Sequence, residues 1–150
     1  MENLSAYTLE YTSTGIIKRW DTGGQPVGYY INSSGYSKIP FSRLEQVIRE
    51  SFDAWQDNNL CTLSFRYDGS TVKSLGIDGQ NVIMFSSSVP DTFVTGPLPS
   101  AVAAITSSSY DPVSGKRLNS DIVFNEYFTF SADQPSDFNN NITTVRLKVE

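Results

Sequence analysis

The chain has 150 residues, 39% hydrophobic and 13% aromatic, which suits one packed domain burying roughly 68–70% of its unfolded surface and excludes a disordered chain. A net charge of −5 without a basic run makes nucleic acid and anionic membranes poor partners, so neither is expected. Histidine is absent and Cys61 stands alone, which excludes Ser-His-Asp and Cys-His catalysis, His-ligated zinc and an internal disulfide for these residues.

In chain order, Thr14–Trp20 and Val27–Asn32 read as strands around the turn residues Asp21-Thr22-Gly23-Gly24, because β-branched and aromatic residues lie between glycines and a proline. Ser42 with Glu45 three positions later fits a capping box. Leu44, Val47, Ile48, Phe52 and Trp55 then recur at helical spacing as one apolar stripe, with Arg43, Glu45, Gln46, Arg49, Glu50, Asp53 and Gln56 on the wet side. Asp57-Asn58-Asn59 ends this helix. Cys61–Tyr67 alternates as a strand that Asp68-Gly69 should break, with Cys61 as a small buried hydrophobe beside Leu63 and Phe65. Ile77-Asp78-Gly79-Gln80 marks a turn, and Asn81–Phe85 is a short apolar run of the kind buried on both faces.

Pro90, Gly96, Pro97 and Pro99 make Ser86–Ser100 a loop. Ala101–Tyr110 and Asp121–Glu126 read as strands flanking the hairpin connection Asp111–Lys116. From Phe128 the chain is polar until Ile142–Glu150, where both a helical and an extended apolar spacing can be drawn. One helix between early and later strands implies a right-handed crossover with parallel pairing, and the last hairpin adds an antiparallel element. The expected fold class is α+β: a mixed twisted sheet of about five strands with one long helix packed on one face, as a single domain over 1–150.

Several chemistries can be weighed against plainer explanations. Trp20, Trp55, Tyr29 and Tyr30 suggest a carbohydrate platform, although aromatics at such spacings are more often core. Glu50 with Asp53, or Asp121 with Glu126, suggest a glycosidase carboxylate pair. The first pair lies on the wet side of the helix and the second points to opposite faces of a strand. Ser86–Ser88 and Ser107–Ser109 lack a base partner. Asp121, Asn125, Asp133 and Asp137 offer oxygen to calcium, but no D-x-[DN]-x-[DN]-G loop supports it. The triplets at Asn3, Asn32 and Asn141 fit N-glycosylation acceptors. No signal peptide or membrane span is read, while abundant Ser and Thr with scarce Lys lean towards an extracellular or periplasmic setting.

The succession P-V-G-Y-Y-I-N, V-I-R-E-S-F-D-A-W, L-S-F, D-G-Q-N-V-I-M-F, A-V-A-A-I-T and D-I-V-F-N resembles the upper, N-terminal subdomain of a matrixin-like zinc metallopeptidase of the metzincin clan. The likeness is strongest over 16–130 and implies a zincin-like sheet with its leading helix. Such enzymes hold zinc with H-E-x-x-H-x-x-G-x-x-H, whose Glu is the general base. Aligning Thr144-Val145 with the family's approach to that motif puts Lys148 and Val149 in its first two slots. A second, structural zinc is also unsupported, because Ala104 stands where a His ligand would sit.

The expectation is therefore an inactive segment without a cofactor of its own, zinc belonging to the intact family. It would be either a cut or frameshifted product or a natural short relative. By the same resemblance, the strand Ala101, Val102, Ala103, Ala104, Ile105 and Thr106 borders the cleft and pairs with an extended peptide substrate. The alternative is a small exported, non-enzymatic binding module using that exposed edge strand. Lacking the family's second helix, the sheet should expose an apolar patch relieved by self-association.

Overall fold

Val27, Tyr29 and Ile31 turn one way and Gly28 and Tyr30 the other, and this alternation suits β1 (Val27–Asn32), an interior strand of the sheet, with its first set buried. The computed structural model describes residues 9–56, 63–88, 102–132 and 144–146. The remaining elements are α1 (Phe41–Gln56), β2 (Phe65–Thr71), β3 (Val82–Ser86), β4 (Ala104–Tyr110), β5 (Arg117–Asn125), β6 (Thr129–Ser131) and β7 (Thr144–Arg146). The five-stranded sheet has the order β2-β1-β3-β5-β4. β1 is parallel to β2 and β3, and β3 to β5, while β4 alone runs antiparallel, against β5. The mixed α+β architecture with one helix is thus as the patterning implied.

The helix buries Leu44, Ile48 and Phe52. Phe52 stacks on Tyr29 with ring centroids 4.0 Å apart and tilts against Phe65 at 4.9 Å, so α1 lies over β1 and β2. Burial, reinforced by the Asp53 charge, pushes the Tyr29 hydroxyl up to about 12. Gln56 joins the helix end to β2, its Oε1 accepting the Phe65 N–H at 2.7 Å. Two details of the expected helix change. The carbonyl of Pro40 accepts the N–H groups of Arg43 and Leu44, so the helix starts at Phe41 and Ser42 sits inside its first turn, not at the cap. Trp55 leaves the buried stripe and is 53% exposed.

Three strand assignments are corrected. Thr14–Trp20 forms only isolated bridges, Tyr11 to Ile17 and Arg19 to Lys116, and does not pair with β1. Thr12 folds this segment on itself: its N–H donates to the Ile16 carbonyl at 2.8 Å, and its hydroxyl accepts the Ile16 N–H at 3.1 Å. Asp68-Gly69 does not end β2. Tyr29 faces Tyr67 but Ile31 faces Ser70, so the strand absorbs one extra residue as a bulge, with Gly69 at φ +110°. The strand expected from Ala101 begins at Ala104, and Ala101 lies outside the described residues, as do Cys61 and 89–100.

Beyond the helix, the same sheet face is covered by residues the sequence reading passed over. Phe130 is 3% exposed and packs edge-on against Phe85, Phe124 and Tyr36 at 5.4 to 5.8 Å. β6 pairs in parallel with β7, so Thr144–Arg146 is extended. On the opposite face Leu75 packs on Val123, with Met84 and Ile105 beside them. Among the described residues no helix is long and apolar enough to cross a membrane.

Candidate functional site

The β4–β5 hairpin owes its shape to Asp111 and Gly115. The Asp111 carboxylate accepts the N–H groups of Val113 at 2.9 Å and Ser114 at 2.7 Å, and these bonds hold its carboxyl below the ordinary range. Gly115 closes the turn at φ +71°, donating to the Asp111 carbonyl at 2.9 Å. The register then runs Ala104 to Phe124, Thr106 to Ile122 and Ser108 to Ser120, with a shift only between Ser109 and Tyr110.

That register decides which backbone groups remain free. Asn125 N–H donates to the Ala103 carbonyl at 2.8 Å, so this pair is a hydrogen-bonded one, and antiparallel pairs alternate. Ile105, Ser107 and Ser109 therefore direct N–H and C=O towards β5. Ala104, Thr106 and Ser108 direct theirs outward from the sheet. β4 is the last strand, and among the described residues nothing pairs with its outer side. The side chains of Thr106 and Ser108 share the helix-side face with Ile122 and Ser120, and the Ser108 and Ser120 hydroxyls lie 2.8 Å apart.

Against this face lies a groove of about 460 Å³. Thr106, Ser108 and Ser120 form its floor, and Tyr110, Trp20 and Lys18 its walls. The N-terminal segment is held there by backbone bonds, Arg19 N–H to the Gly115 carbonyl at 2.9 Å and Arg117 N–H to the Arg19 carbonyl at 2.7 Å. Arg117 pairs through Nη2 with Glu10 Oε2 at 2.7 Å. The Lys18 ammonium sits 4.0 Å from the centre of the Tyr110 ring.

Of the expected edge residues, Ala104 and Thr106 are exposed on β4, and Ile105 turns to the far face beside Val123. Val102 and Ala103 precede the strand and are clamped by Asn125, whose Nδ2 donates to the Val102 carbonyl at 2.8 Å. The groove residues Glu10, Lys18, Tyr110 and Arg117 were missed. Lys18 and Trp20 fall within the expected strand Thr14–Trp20, and no pattern links Glu10 to Arg117 across 107 positions.

Other candidates are dispersed or engaged. Tyr29 is core, Tyr30 turns to the opposite sheet face, Trp55 lies exposed in the last helical turn and Trp20 lines the groove. Asp121 is buried, accepting the N–H groups of Val82 at 2.8 Å and Gly76 at 3.0 Å, and burial pushes its carboxyl up despite these bonds. Asn125 accepts the Tyr127 N–H at 3.0 Å, so both side chains considered for calcium are directed at backbone, and Asp133 and Asp137 lie outside the described residues. Asn32 is 7% exposed and donates from Nδ2 to the Lys73 carbonyl at 2.6 Å, which closes that acceptor to a glycan. Among the described residues no three His, Cys, Asp or Glu side chains gather as a metal site. No protein-family model, curated protein or solved structure matches the chain.

Proposed function

We propose that these residues are the upper half of a matrixin-like zinc metallopeptidase and that they bind an extended peptide along β4 without cleaving it. The observation that carries this is the lone antiparallel edge strand whose outward N–H and C=O groups, on Ala104, Thr106 and Ser108, stand beside an open groove. Edge groups of this kind accept a peptide by strand addition. Each bond nets about 0.5–1.5 kcal/mol, and the cost of ordering the peptide offsets much of the sum, so the expected binding is weak.

The donor set does not fit the zinc that the resemblance implies. The sequence has no imidazole, and the described carboxylates are apart or turned to backbone. No hydrolytic step is therefore assigned to them. An exported setting belongs to the same proposal, on the Ser- and Thr-rich composition. A second reading, a non-enzymatic interaction module using the same edge, is favoured by one observation: Thr144–Arg146, aligned with the approach to the zinc motif, is paired as β7.

Fluorescence anisotropy with labelled extended peptides tests the edge. Thr106→Pro removes an outward N–H without touching a β4–β5 bond, and should weaken binding at least about five-fold while leaving the unfolding midpoint nearly unchanged. Unaltered affinity in a folded variant would overturn pairing at β4. A quenched-peptide assay with added zinc should show no turnover; turnover abolished by a chelator would overturn the non-catalytic assignment.

A further inference from the structure

We infer that the groove beside β4 selects peptides carrying an acidic side chain, an inference that rests on peptide pairing at β4. Residues opposite one another on adjacent strands share a sheet face. A peptide residue set opposite Thr106 or Ser108 therefore points into the groove, and its neighbours point away. The charged groups lining the groove are Glu10, Lys18 and Arg117. Glu10 is engaged with Arg117, whose side chain is only 20% exposed. Lys18 has no carboxylate partner among the described residues and is steadied over the Tyr110 ring.

Two cations against one carboxylate leave this corner positive on a chain of net charge −5. The Thr106 hydroxyl and the one of the mutually bonded Ser108 and Ser120 hydroxyls that is not donating to the other add donors for a carboxylate, and Trp20 and Tyr110 add apolar lining beside them. A basic side chain in the same place would meet Lys18 unopposed. The partner is thus an extended peptide with Asp or Glu at the position facing Thr106 or Ser108.

The test compares peptides of one length that differ at a single inward position, Glu against Gln and Lys, by anisotropy at low and high salt. The Glu peptide should bind about ten-fold more tightly than the Gln peptide, with the gap narrowing as salt rises. Lys18→Met, which keeps the stem and removes the charge, should bring the Glu and Gln peptides within about two-fold of each other. Lys18→Arg should keep the preference and Lys18→Glu should invert it towards the Lys peptide. Equal binding of Glu and Gln peptides, both abolished by Thr106→Pro, would overturn the selectivity and leave the edge reading standing. A preference that survives Lys18→Met would overturn it too. Failure of every peptide to bind would count against pairing at β4 itself.

Discussion

Asp121 shows how a single carboxylate can organise a sheet and be recognisable only by its burial. Its two oxygens take the N–H groups of Val82 and Gly76, which ties the start of β3 and the loop before it to β5. Burial raises its carboxyl pKa, with the Gly76, Val82 and Asn119 donors offsetting only part. A folded pKa above the unfolded one means that the folded chain binds the proton more tightly. The stabilisation is complete below the unfolded value and is lost as pH rises through the folded one. Asp68, Asp78 and Asp111 have lowered pKa values and act in the opposite sense, losing their contribution as pH falls. They are common to wild type and Asp121→Asn, so their effect cancels between the two apart from the repulsion of Asp121 by Asp78. The stability of wild type relative to Asp121→Asn should therefore fall as pH rises above the ordinary carboxylate range. Urea unfolding at stepped pH measures it, and wild type gaining stability relative to Asp121→Asn as pH rises would refute the assignment. On the helix, Leu44 is fully buried and Leu44→Ala should cost about 2–5 kcal/mol, whereas Trp55→Ala, at the exposed end, should cost far less.

Elements were legible where one periodicity ran unbroken. The α1 stripe, the alternation of β1 and the turn residues between β4 and β5 each report a local pattern that the tertiary structure kept. Thr14–Trp20 failed because β propensity is realised only when a neighbouring strand is available. Here Ile16 and Ile17 are each 39% exposed, and the segment is fixed instead by Thr12 and by the Gly115 carbonyl. Asp68-Gly69 failed for the reverse reason: residues typical of a turn were accommodated inside a strand as a bulge. Two glycines separate these effects. A Cβ at Gly115 would strike the Ile17 carbonyl, at a positive φ that disfavours any side chain. Gly115→Ala should destabilise by more than about 1 kcal/mol and weaken peptide binding by shifting the segment that carries Lys18. A Cβ at Gly28 would meet only the tip of the Asp68 side chain, which can swing away. Gly28→Ala should be the milder of the two in thermal unfolding.

At the scale of the whole molecule, the parallel β1-α1-β2 unit and the antiparallel final hairpin followed from the order of elements. The groove did not, because it joins residues from the N-terminal segment, β4 and β5 that share no spacing. Phe130 was equally hidden, because no regular spacing joins it to Phe128 and Tyr127 before it. It now covers Phe85 and Phe124 where an apolar opening had been expected. We propose that this cover governs self-association. Phe130→Ala should lower stability by about 3–5 kcal/mol and shift light scattering towards larger species; an unchanged mass would overturn the link. The two margins of the sheet also differ. β2 is kinked by its bulge and flanked by the Arg66–Asp68 ion pair, features that discourage further pairing, whereas β4 is straight up to Ser109. Joining two copies through their β4 strands uses up both receptive sides at once. Any such assembly closes as a pair within the described five-stranded sheet, whose remaining margin, the bulged β2, disfavours the addition of further copies.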